Sequence, residues 1–196
     1  MAIISTLLKK GIRLRESLEQ EYSHPLELQR RELKKLLIHA ADTEIGKKYE
    51  FAKILKGFRW GESEFYERYK VQVPIYDYNR IHNEWWYKLL EGKPNVTWPG
   101  PVRHFALSSG TSGATSKFIP ITTDMVKAIR RTGVRQILSL SKYDLPASLL
   151  TKGILMLGGS TDLEFNGTYF SGDLSGITTG RLPIWFQRFY KPGKKI

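Results

Sequence analysis

Between Ser108 and Lys117 the chain reads Ser-Ser-Gly-Thr-Ser-Gly-Ala-Thr-Ser-Lys. A run with no large side chain before its terminal lysine cannot build a core, but it can present backbone. Gly110 and Gly113 let the main chain take left-handed torsions and let a ligand approach closely. Successive amide N–H groups, with the hydroxyls of Ser108, Ser109, Thr111 and Ser112, supply donors, and Lys117 supplies a point charge. That is the chemistry of holding a chain of phosphates. Charge-assisted hydrogen bonds contribute about 1.5–3 kcal/mol each, so a few such contacts give useful nucleotide affinity. The competing reading is a Ser/Gly linker. An apolar run from Val102 to Leu107 before the stretch, Phe118-Ile119-Pro120-Ile121 after it, and a lysine at a fixed offset favour a loop held between two strands.

The order of residues excludes two familiar phosphate loops. The Walker type needs lysine directly after glycine and a hydroxyl directly after lysine, whereas Lys117 stands between Ser116 and Phe118. A dinucleotide fingerprint needs G-x-G-x-x-G opening a helix, and none is present. The Ser-Ser-Gly-Thr-Ser-Gly-x-x-x-Lys order resembles the phosphate loop of the adenylate-forming superfamily. Its spacing from Gly110 to Lys117, one residue longer than in acyl-CoA synthetases, and the following Phe-Ile-Pro resemble the auxin-responsive (Gretchen Hagen) family of acyl-acid amido synthetases. Plant members place the second glycine one position later, where Ala114 stands here.

The elements that must position this loop are legible on both sides. Residues 2–22 carry Ile3, Ile4, Leu7, Leu8, Ile12, Leu14 and Leu18 at helical spacing and predict an amphipathic helix. Ser23-His24-Pro25 breaks it and starts a second helix over 25–42, with Pro25 in the first turn and Leu26, Leu33, Leu36, Leu37, Ala40 and Ala41 as its apolar stripe. Thr43–Tyr49 reads as a turn, Ser63–Tyr69 as a short helix and Val71–Ile75 as extended. Asn79–Leu90 predicts a helix with Ile81, Trp85, Leu89 and Leu90 inward; Trp85-Trp86-Tyr87 could form a stacking platform, but that spacing favours core. After the loop, Thr122-Thr123-Asp124 opens a helix running to about Tyr143, in which Gly133 implies close packing. Ile154–Leu157 reads as a buried strand parallel to the one before the loop. Asn166-Gly167 between Leu163-Glu164-Phe165 and Thr168-Tyr169-Phe170 is a hairpin signal.

Three of these segments resemble the same family: Gly46-Lys47-Lys48-Tyr49, Val73-Pro74-Ile75-x-x-Tyr78, and Gly92-x-x-Asn95-x-x-Trp98-Pro99-Gly100. The resemblance runs from Gly46 to about Trp185. It implies an α/β fold: a helix-rich N-terminal cap, then part of the mixed sheet and helices of an adenylate-forming N-terminal domain, apparently truncated. Residues 1–196 then form the N-terminal part of one large domain, with 1–95 a helical preface and 96–196 the phosphate-loop part. The implied cofactors are ATP and Mg; the implied reaction makes an acyl-adenylate from a carboxylic acid and passes the acyl group to an amino acid. Ser108, Ser109, Thr111 and Ser112 would bond phosphates, Gly110 and Gly113 would admit them, and Lys117 would offset their charge. The family's tyrosine-glycine-x-x-glutamate motif and ribose-binding aspartate are not found, so no catalytic or metal residue is assigned, the polypeptide alone is expected to be inactive, and the rest of the enzyme is expected beyond Ile196. An acyl-CoA ligase fragment, or a non-catalytic nucleotide- or nucleic-acid-binding protein, is the alternative.

Composition narrows the classes. The chain has 196 residues, 41% hydrophobic, with no cysteine, which excludes disulfides and thiolate metal sites. His24, His39, His82 and His104 lack metal-ligand spacing. The N-terminal apolar run stops at Lys9-Lys10, short of a signal sequence or a membrane span, and a soluble cytoplasmic protein is expected. The net charge of +12 would suit nucleic acid, but the basic pairs fall on polar helix faces, so nucleic acid is not the expected partner. Internal repeats are absent.

Overall fold

The computed structural model describes residues 10–11, 13–14, 24–56, 64–108, 116–139, 143, 146, 153–155, 159–179 and 190–191. Two compact units divide the chain: Ser23–Phe105 with Phe165–Phe170, and Met1–Tyr22 with Ala106–Glu164 and Ser171–Ile196. The fold mixes helix and sheet, as the sequence predicts.

The first unit is mainly helical. Helix α1 (Pro25–Ala40) starts at His24, whose ring nitrogen accepts from the Leu26 N–H, with proline at the first position. Only Leu37 and Ala40 of its predicted stripe are buried; Leu26 and Leu36 face solvent. The Thr43–Tyr49 segment is not an open turn. It is helix α2 (Glu44–Lys48), with Thr43 as N-cap accepting from the Gly46 N–H. Helix α3 (Phe51–Ile54) follows, then α4 (Glu64–Gln72), which takes in Val71 and Gln72 of the Val71–Ile75 segment predicted to be extended. Leu37, Ala40, Phe51, Ile54 and Phe65 form one core cluster of this unit, and Trp85, Leu89, Val96 and Val102 are buried as well. Each large side chain contributes roughly 1.5–3 kcal/mol by leaving water.

The predicted 79–90 helix is continuous but not uniform. Tyr78–Ile81 is α-helical (α5), His82–Trp86 is a π-helix, and Tyr87–Leu90 is α-helical again (α6). Trp85 and Leu89 are buried, as their spacing requires. Gly92 stops α6 with φ +84°. Its N–H donates to the Leu89 carbonyl and the Lys93 N–H reaches back to Lys88, a glycine-terminated helix end.

Strands β1 (His104–Leu107), β2 (Phe118–Ile121), β4 (Glu164–Phe165) and β5 (Phe170–Gly172) form one sheet in the order β2-β1-β5-β4. The β4–β5 hairpin turns at Asn166-Gly167, as predicted: Gly167 has φ +96°, and Asn166 Oδ1 accepts from the Thr168 and Tyr169 N–H groups. Strand β3 (Ile154–Leu155) lies in a second sheet, parallel to β6 (Tyr190–Lys191) and not to β1, with Ile154 opposite Tyr190. Leu155 is exposed rather than buried. Helix α7 (Thr123–Ser139) follows β2 directly. Gly133 has open space where a Cβ would stand, so close packing does not explain it. Ala106, Ile121, Val126 and Ile177 make the second unit's core, with Ile177 on α8 (Leu174–Thr179). Among the described residues no helix is long and apolar enough to cross a membrane.

Candidate functional site

Strands β1 and β2 are neighbours in the sheet, and the loop between them is tied at its base. The Ser108 N–H donates to the Lys117 carbonyl at 3.0 Å, and the Lys117 N–H donates to Ser108 Oγ at 3.2 Å. Ser108 and Lys117 are therefore brought together. Ser109, Gly110, Thr111, Ser112 and Gly113 lie outside the described residues. The Lys117 side chain is exposed at the loop mouth. Ser108 Oγ spends a lone pair on the closure, and its own proton can still be donated. A cation and a hydroxyl donor at the root of a Ser/Gly loop suit an anionic phosphate. Among the described residues no group of three or more His, Asp or Glu could hold a metal ion.

Two of the other family-like segments, Gly46–Tyr49 and Gly92–Gly100, lie at one joint of the first unit. Gly46 lies against the end of α1: a Cβ there would stand 2.0 Å from the Ala40 carbonyl oxygen and 2.8 Å from that of Ala41. Thr43, only 1% exposed, donates its hydroxyl to the same Ala40 carbonyl at 2.6 Å. The Glu44 and Ile45 N–H groups, left over at the start of α2, donate to the carbonyls of Asn95 and Val96. Asn95, at φ +58°, closes the turn that leads to β1: its N–H donates to the Gly100 carbonyl, and its Oδ1 accepts from the Gly100 N–H at 2.7 Å. Val96 is fully buried, and the Trp98 ring lies 4.9 Å from that of His39 on α1. These residues build the entry to the strand that carries the loop.

Charges reinforce the same joint. Glu44 is held by Lys88 at 2.7 Å and Lys93 at 2.6 Å. The Lys88 hydrogen bond, followed by that of Lys93, holds the Glu44 carboxyl below the usual range, and Glu44 in turn raises Lys88.

Beside it lies a cluster that sequence reasoning missed. The Tyr76 hydroxyl donates to Glu84 Oε2 at 3.0 Å, accepts from the Trp85 indole N–H at 3.0 Å, and is bonded to the Tyr49 hydroxyl. Burial pushes the Tyr76 phenol up to about 12, with the Tyr49 bond adding to the rise. Glu84 also binds Arg80 Nε at 2.9 Å, the main reason its carboxyl is lowered, and Lys48 Nζ lies 5.0 Å from the centre of the Trp85 ring. Tyr49 was visible in its segment; nothing in the sequence marks Tyr76, Glu84 and Trp85 as its partners.

A family model described as the GH3 family N-terminal domain matches residues 14–184. No curated protein matches the sequence. Solved structures do resemble it in fold. A GH3.15 acyl acid amido synthetase superposes with a TM-score of 0.56 at 20% identity, over 88% of this chain and 29% of that one. The complex of AtGH3.15 acyl acid amido synthetase with 2,4-DB gives 0.58 at 22% identity, over 84% and 27%. The chain thus spans under a third of the length of these solved structures.

Proposed function

The chain belongs to the GH3 family, and we propose that it supplies the ATP phosphate-binding part of an acyl-acid amido synthetase. The observation that carries this reading is the Ser108–Lys117 closure, which holds a Ser/Gly stretch of the family's kind between two paired strands. In the proposed reaction a carboxylate attacks the α-phosphate of Mg-ATP and pyrophosphate leaves; an amino acid amine then attacks the acyl carbon of the adenylate, the bond to phosphate breaks, and AMP and a proton are released. The loop's contribution is electrostatic. Ser108, Ser109, Thr111 and Ser112 donate to phosphate oxygens, Gly110 and Gly113 let the main chain approach, and Lys117 offsets charge gathering on the departing pyrophosphate. The cytoplasm is the compartment proposed.

Positioning by this loop is not sufficient for turnover. The 196 residues contain no tyrosine-glycine-x-x-glutamate motif to stack adenine and serve the metal. The polypeptide alone therefore binds Mg-ATP without activating an acid. The test is acid-dependent exchange of labelled pyrophosphate into ATP. No exchange above background is expected from residues 1–196, and robust exchange would overturn this division of labour. In a longer native product that does exchange, trapping by amino acids supports the amido synthetase, and trapping by coenzyme A instead identifies an acyl-CoA ligase.

A further inference from the structure

The Tyr76 hydroxyl has every hydrogen-bonding position filled: its proton goes to Glu84, and its lone pairs face Trp85 and Tyr49. Two of these partners, Glu84 and Trp85, are consecutive residues of the His82–Trp86 π-helix. That helix is closed by a bond from the Tyr87 N–H to the His82 carbonyl, five residues back. A π-turn carries one residue more than an α-turn and is rare without a specific reason. Here the flanking helix is fixed at both ends. At the N-terminus the Asp77 carboxylate accepts from the Arg80 N–H at 2.7 Å. At the C-terminus Leu89 is fully buried and Lys88 grips Glu44. Reverting to an α-helix would turn everything beyond Trp86 by about 100° and shift it by about 1.5 Å relative to the N-terminal end. That movement would draw Leu89 out of the core and Lys88 away from Glu44.

We propose that Tyr76 is the lock of this π-turn. Its hydroxyl holds His82–Trp86 in the π-form, and the held register fixes Lys88 on Glu44. Because the Glu44 and Ile45 N–H groups bond the Asn95 and Val96 carbonyls, the lock also steadies the turn before β1. Releasing it loosens that turn. The proposal concerns the helical unit alone and stands whether or not the ATP reading does.

Hydrogen exchange on the 196-residue polypeptide, read by mass spectrometry, tests it with Tyr76→Phe, which keeps the ring and removes one oxygen. Amides of residues 82–90 are expected to exchange roughly two- to tenfold faster, as the loss of one net hydrogen bond implies, while those around Leu37 on α1 stay unchanged. Glu84→Gln keeps an acceptor for Tyr76 but loses the ion pairs, and should stay close to wild type. Unchanged protection in Tyr76→Phe would mean that the fixed ends suffice and would overturn the proposal. So would an equal loss of protection throughout the unit, including failure to fold, because Tyr76 would then be a general stabiliser. If Glu84→Gln loosened residues 82–90 as much as Tyr76→Phe, the ion pairs rather than the hydroxyl would be the lock.

Discussion

Lys117→Ala is expected to weaken Mg-ATP binding by about 10- to 150-fold while keeping both main-chain bonds at the base of the loop. The magnitude follows from removing one charge-assisted contact, worth about 1.5–3 kcal/mol. Both bonds that tie the loop's base use main-chain atoms of residue 117, its carbonyl and its N–H, and alanine keeps both. Ser108→Ala is the informative contrast, since it removes the Oγ that accepts from the Lys117 N–H and so loosens the base as well. Calorimetric titration at two salt concentrations checks the prediction. Mg-ATP affinity that survives added salt and disappears with Lys117 supports the phosphate loop. Affinity for polyanions that falls steeply with salt and ignores Lys117 would instead point to nucleic acid, through the chain's +12 charge.

Gly46→Ala is the second large effect, and its sign is the point of interest. Gly46 lies inside α2, where alanine would ordinarily stabilise by about 1 kcal/mol through helix propensity. The added methyl would, however, stand 2.0 Å from the Ala40 carbonyl oxygen. That oxygen is main chain and already accepts from the Thr43 hydroxyl and N–H, so it cannot swing aside. Overpacking against rigid backbone destabilises by about 1–3 kcal/mol or more, and here it outweighs propensity. With the overpacking at the upper end of that range, a net loss of about 2 kcal/mol lowers the melting temperature by roughly 4–8 °C in a chain of this size. Thermal unfolding followed by circular dichroism reads it. A melting temperature at or above that of the wild type would show that α2 can move off α1, and the account of this glycine would be wrong.

How much of this was legible in the sequence depended on how local each cause was. Pro25 announced the start of α1, and Asn166-Gly167 announced its hairpin, because turn and cap chemistry act within a few residues. The loop's flanking strands could be read from their apolar runs. The Thr43–Tyr49 helix was hidden because Gly46 looks like a turn residue. Its real reason is a carbonyl six positions back that only the folded chain brings close. The β3 strand was legible as extended, but its partner β6 was not, since a pairing of residues 154 and 190 leaves no local trace. Leu26 and Leu36 fit the helical stripe by spacing, but both are exposed in the fold. The Tyr76 cluster joins residues 49, 76, 84 and 85 through a single oxygen. Periodicity carries no signal for a hydroxyl's partners.

The segments that carry the family resemblance thus divide by role. On the proposed reading Ser108–Lys117 does chemistry, whereas Gly46–Tyr49 and Gly92–Gly100 lie at the main-chain joint ahead of β1. Substitutions in the joint segments are expected to appear first as lost stability, and those in the loop as lost affinity.

The most direct test of the central claim is amide chemical-shift mapping of the 22.6 kDa chain during titration with Mg-ATP. A backbone cradle predicts that the largest shifts fall between Ser108 and Lys117, saturate together, and vanish in Lys117→Ala at the same nucleotide concentration. Shifts confined to the basic face of α7, or none at all at millimolar Mg-ATP, would contradict it.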